Sequence, residues 1–142
     1  MTVLEMVEKY CSKSKYDDNE YACMGSFFSV EPATEEEISA FRKNCADRGV
    51  DQNAVEEMVA YFKQNKSIFN YFNCGDIGMF DWWSDDYRTI WLGCHDDDSF
   101  IYDDTTHTYA IGEAGSKDIG EYNTLMEMLE AYMKYGYEIG AN

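Results

Sequence analysis

Five consecutive positions carry a thiol, an imidazole and three carboxylates: Cys94-His95-Asp96-Asp97-Asp98. Each is a competent metal ligand, and the same groups suit acid–base work. The spacing argues against a metal centre. Neighbours in an extended segment point to opposite sides, and no second His or Cys cluster completes a tetrahedral set. A calcium loop counted from Asp96 fails as well. Its sixth position is Ile101, where a glycine must turn sharply, and its twelfth is His107, where a bidentate glutamate belongs. Cys74 or Cys94 with His95 or His107 has the groups of a Cys–His dyad, but a lone Cys next to a lone His in a strand turn is usually structural. With 28 acidic residues, a carboxylate pair of the glycosidase kind arises by chance. No Gly-x-Ser-x-Gly, Walker or His-Glu-x-x-His motif is present. The sequence therefore assigns no catalytic residue, no metal and no cofactor.

Charge says more. The chain has 142 residues and a formal charge of −17. Residues 76–121 hold 12 acidic side chains against Arg88 and Lys117. The acids fall mainly in turns and strand ends. They are expected to reach water and to gather on a single sheet face. Such a face attracts a basic partner and steers its approach. Asp85, Asp86, Asp96, Asp97, Asp98, Asp103 and Asp104 are the candidate contacts. Trp82, Trp83 and Trp91 sit among them and are candidate anchors, because Trp leads interface hot spots. Alternation puts Trp82 and Trp83 on opposite faces, so one of the two is expected in the core.

The same charge excludes other partners. Phosphate backbones and anionic membrane surfaces repel a chain this acidic. No apolar run approaches the roughly 20 residues that span a bilayer. Glu5 and Glu8 interrupt the first apolar stretch, unlike a secretory signal. Five irregularly spaced cysteines without a Cys-x-x-Cys pair read as reduced thiols. A cytoplasmic chain is expected, as a monomer or weak dimer. An aromatic content of 16% opposes disorder.

The elements that position these residues follow from periodicity. Val3, Leu4, Val7 and Tyr10 predict a helix. Residues 12–20 read as a loop, and 21–30 as an extended segment or short strand. Thr34 and Glu37 form a capping box ahead of Ile38, Phe41 and Cys45, and Gly49 ends that helix. Asp51 caps a second, with Ala54, Val55, Met58, Val59 and Phe62 on one face. Residues 79–83 read as extended. Residues 89–94, 99–102 and 108–111 read as strands joined by Asp-rich turns, an antiparallel meander. In the first of these, Ile90, Leu92 and Cys94 are expected on one face and Trp91 on the other. Leu125, Met128, Leu129, Tyr132 and Met133 mark a closing helix, capped by Asn123 or Thr124. The order predicts an α+β fold with an antiparallel sheet of about four to six strands packed against helices.

Three stretches carry a resemblance: EPATEEEISAF at 31–41, TIWLGCHDDDSFIYDD at 89–104 and GEYNTLMEMLEAYM at 120–133. Together they resemble the opening helix, central hairpin and closing helix of the SUKH (SMI/KNR-type) superfamily. That group includes fungal cell-wall glucan synthesis regulators and many bacterial immunity proteins. Val50-Asp51-Gln52-Asn53 and Asn73-Cys74-Gly75 depart from its usual second-helix pattern. The resemblance implies one domain over 31–142, with 1–30 as an N-terminal helix and extended extension. It also implies a non-enzymatic binding protein that clamps a toxin, a nuclease being the basic kind. A regulatory or scaffold module and a hydrolase are the alternatives.

Overall fold

The computed structural model describes residues 1–23, 26–66, 88–95, 97–113 and 116–135. The extended reading of residues 79–83 lies outside them. The described residues form four helices and two antiparallel sheets, the expected α+β fold.

Helix α1 (Val3–Tyr10) opens on a capping box: Thr2 Oγ1 accepts from the Glu5 amide at 3.1 Å, and the Thr2 amide donates to Glu5 Oε1 at 3.2 Å. Its buried face is Val3, Met6 and Val7. Leu4, expected inside, is 44% exposed, because the i, i+3, i+4 stripe is set by Met6. The residues that follow are more ordered than their polarity suggests. Strands β1 (Ser12–Lys13), β2 (Glu20–Cys23) and β3 (Ser26–Ser29) make a three-stranded sheet in chain order. Asp17 closes the β1–β2 turn by accepting from the Asn19 amide with its side chain (2.9 Å) and from the Glu20 amide with its carbonyl (3.2 Å). Val3, Met6, Val7, Tyr21, Cys23 and Phe28 join the same hydrophobic cluster as the later elements.

Helix α2 (Glu35–Asp47) carries the predicted capping box at Thr34 and Glu37, and buries Ile38, Phe41 and Cys45. Gly49 follows it at φ 69°, the left-handed conformation that suits glycine. Asp51 Oδ2 accepts from the Ala54 amide at 3.1 Å and starts α3 (Gln52–Phe62). The predicted stripe of α3 is buried, together with Tyr61.

The second sheet is a four-stranded meander: β4 (Thr89–His95), β5 (Asp98–Asp103), β6 (Thr108–Glu113) and β7 (Gly120–Tyr122). β7 escapes a pattern reading because three residues show no alternation. Helix α4 (Leu125–Tyr135) closes the fold, its five predicted apolar residues all buried. Thr124 is its cap: Oγ1 accepts from the Glu127 amide at 3.1 Å.

A bulge breaks β4. Trp91 pairs with Ile101 and Gly93 with Phe100, leaving Leu92 without an opposite residue. The alternation expected along residues 90–94 is therefore broken at Leu92. Ile90 and Leu92 are nonetheless buried in the core, and Trp91 is half-buried. The core face of the meander carries Ile90, Tyr102, Tyr109, Phe100 and Ile111. The opposite face carries the row Trp91, Ile101, Ala110 and Glu121 in register. Residue 116 lies against that face at Gly112, where a Cβ would overlap the Ser116 carbonyl.

Candidate functional site

The candidate residues are placed by the turns of the meander. Successive turns of a meander lie at opposite ends of the sheet. β5 spans six residues between them, which separates the two aspartate clusters by about 17 Å at 3.3 Å per residue. Asp97 and Asp98 stand at one end, Asp103 and Asp104 at the other. Along β5, Asp98 also falls on the side of Phe100 and Tyr102 and Asp103 on that of Ile101, so these described aspartates do not gather on a single face as expected. Asp85, Asp86, Asp96, Trp82 and Trp83 lie outside the described residues.

Asp104 does not face water. Its side chain is 7% exposed. Oδ2 accepts from Arg88 Nε (3.3 Å) and Nη2 (3.2 Å), while Oδ1 accepts from the Tyr102 hydroxyl (2.9 Å) and the Asp51 amide (3.1 Å). Arg88 Nη2 also donates to the Arg48 carbonyl at 2.6 Å. One carboxylate thereby joins the β5–β6 turn, the start of β4 and the α2–α3 connection. Burial, then Asp104, pushes the Tyr102 phenol well above its ordinary value.

Asp103 is engaged too. Its side chain is 14% exposed and lies 2.7 Å from Lys117 Nζ. Oδ1 accepts from the Thr105 amide (2.8 Å) and hydroxyl (2.6 Å). Burial pushes its carboxyl up, but the Lys117 and Thr105 hydrogen bonds outweigh that and hold it below the usual range. Lys117 also meets Glu121 at 3.0 Å, and burial fails to offset these two carboxylates, so its ammonium is held above the ordinary value. The expectation that turn aspartates reach water is corrected at both positions. A turn with two adjacent acids is stabilised by turning them onto cations.

The other end of the sheet differs. Asp97 is exposed, and no ion pair to it is present among the described residues. Asp98 pairs in register with Glu113, which is exposed. Asp118 Oδ1 accepts from the Glu113 amide at 3.2 Å, which adds a fourth carboxylate there. Asp98 Oδ2 accepts from the Tyr132 hydroxyl at 2.7 Å, and the hydroxyl oxygen lies 2.9 Å from Nδ1 of His95, which is 1% exposed. The phenol has one proton and gives it to Asp98, so His95 Nδ1 is the donor on the other side. This chain runs from the acidic edge into the core and pins α4 beneath β5. Trp91, half-buried on β4, the outer strand of this sheet among the described residues, sits on the face away from the main cluster.

Among the described residues no group of three or more His, Cys, Asp and Glu gathers to hold a metal. No described helix is long and apolar enough to cross a membrane. Sequence reasoning passed over Arg88, Lys117, Tyr102 and Tyr132. A signal existed for the first two: in a segment with 12 acids, the two cations are the natural counter-ions of any acid that becomes buried. The tyrosines gave none, since their hydroxyl partners come from distant elements. No protein-family model matches the chain, and neither does a curated protein or a solved structure.

Proposed function

We propose that this chain is a non-enzymatic binding protein that neutralises a basic toxin domain by occluding it, a cytoplasmic immunity protein of SUKH type. The observation that carries the reading is the acidic end of the meander. Asp97 and Glu113 are exposed there beside Asp98, on a chain of charge −17. Steering by such a surface raises association rates by about 10- to 1000-fold. A nuclease toxin, basic because it must hold phosphates, fits that electrostatics. Trp91 supplies an aromatic group on the neighbouring strand β4. Asp103 and Asp104 serve the fold on this reading, and leave the contact set.

The test is functional rescue. The protein encoded beside this chain's gene is expressed with and without it, and the purified pair is then mixed. Relief of growth arrest together with an equimolar complex supports the reading. A complex without relief favours a regulatory or scaffold role, and the absence of any complex removes the neighbouring product as the target.

A further inference from the structure

Two thiols meet where α1 hands over to the first sheet. Cys11 is the C-cap residue of α1, its backbone extended at φ −117°, ψ 161°, and it is partly exposed. Cys23 is the last residue of β2 and is buried. The register pairs Ser12 with Ala22 and Lys13 with Tyr21. One further step brings Cys11 opposite Cys23. The kind of site follows from the hydrogen bonds. The Ser14 amide donates to the Glu20 carbonyl at 2.8 Å, so 14 and 20 are a hydrogen-bonded pair. Pairs alternate along an antiparallel ladder, which makes 12 and 22 hydrogen-bonded and 11 and 23 non-hydrogen-bonded. Opposed Cα atoms at such a site lie about 4.5 Å apart, inside the roughly 4.4–6.8 Å that a disulfide spans. Side chains at such a site project to the same side of the sheet and stand close together.

We propose that Cys11 and Cys23 are a redox couple that closes to a cross-strand disulfide when the chain meets a low-molecular-weight disulfide. The neighbouring thiol holds Cys23 below its ordinary value, while that neighbour and burial push Cys11 up. Loss of the Cys11 proton to water, a minor event at this raised value, leaves a thiolate on the partly exposed sulfur. That thiolate attacks one sulfur of the oxidant, forming a mixed disulfide and expelling one small thiolate. Cys23, its proton lost to water, attacks the Cys11 sulfur, closes the protein disulfide and expels the second. Two hydrogens and two electrons pass from the protein to the oxidant, which leaves as two thiols. The bond ties the end of α1 to the end of β2. Cys45 is set apart by its place, buried on α2 rather than on these strands.

The test equilibrates the intact chain with glutathione and glutathione disulfide over a range of ratios, quenches with acid, alkylates and maps the peptides by mass spectrometry. The expected result is a peptide pair joined through Cys11 and Cys23, an intact mass lower by two hydrogens, no retained glutathione, and full reversal by dithiothreitol. Cys23→Ser should convert Cys11 from a trace to the main site of glutathione addition, because nothing then resolves the mixed disulfide. Wild-type mapping decides the matter even if that variant folds poorly. Wild-type Cys11 that stays glutathionylated, links to another cysteine, or remains a free thiol at the most oxidising ratio overturns the proposal.

Discussion

Arg88 holds Asp104 through two guanidinium nitrogens, at 3.3 and 3.2 Å, and with the same group reaches the Arg48 carbonyl at 2.6 Å. The pair locks the meander to the connection between α2 and α3. Removing the cation leaves a carboxylate that is 7% exposed with two neutral donors. Arg88→Ala is expected to cost about 2–3 kcal/mol, most of it the desolvated charge left behind. Asp104→Asn keeps the size and drops the charge, and should cost about 1–2 kcal/mol. Urea denaturation of both and of the double variant gives the coupling energy. Additive costs would show that the two side chains act independently.

Asp103 and Lys117 make stability depend on pH at both extremes. The Asp103 carboxyl is held low in the fold, so its contribution is present above the unfolded value of about 3.9 and is lost as pH falls through the folded one. The Lys117 ammonium is held high, so its contribution is present below about 10.4 and is lost as pH rises through its folded value. Lys117→Ala should cost up to about 1 kcal/mol at neutral pH, since the lysine is partly exposed and screened. Relative to wild type, that difference should shrink toward both extremes. A pH-independent difference would mean the lysine acts through packing alone.

The Tyr132 hydroxyl stands between Asp98 and His95, while its ring meets Phe100 edge-on at 4.9 Å. Tyr132→Phe keeps the ring and removes the bridge. An expected loss of about 1–2 kcal/mol follows from leaving a buried imidazole nitrogen without this partner. Thermal unfolding measures it, and an unchanged midpoint would show that the bridge contributes nothing net.

Gly112 lets Ser116 lie close against the sheet. Its carbonyl also accepts from the Ser99 hydroxyl at 2.6 Å. Gly112→Ala forces a Cβ into the Ser116 backbone. Backbone cannot yield as a flexible side chain does, so a cost of about 2 kcal/mol is expected from overpacking. The signature is faster amide exchange around residues 116–119, which a change confined to β6 would not produce.

The sequence revealed what is local and periodic. Thr34, Asp51 and Thr124 announce their helices because a cap is a contact between near neighbours. The stripe of α4 was plain because it buries one continuous face. The first sheet was less legible, since β1 has two residues and its turn is made by polar side chains. The candidate site was the least legible. Acidity was visible in the sequence, but whether an aspartate faces water depends on cations brought from elsewhere in the chain. Asp97 and Asp104 look alike as letters. One is exposed, and the other is enclosed by Arg88, Tyr102 and Asp51.

That contrast supplies the most direct measurement of the proposed function. Association rates of the locus-encoded partner are followed by stopped flow at low and high salt for wild type, Asp97→Asn and Asp104→Asn. The wild-type rate should fall steeply with salt, because exposed charges are screened within about 8 Å at physiological ionic strength. Asp97→Asn should slow association severalfold without loss of stability, while Asp104→Asn should lose stability and keep the wild-type rate. A wild-type rate that is flat in salt, or an Asp97→Asn rate equal to wild type, would contradict the account.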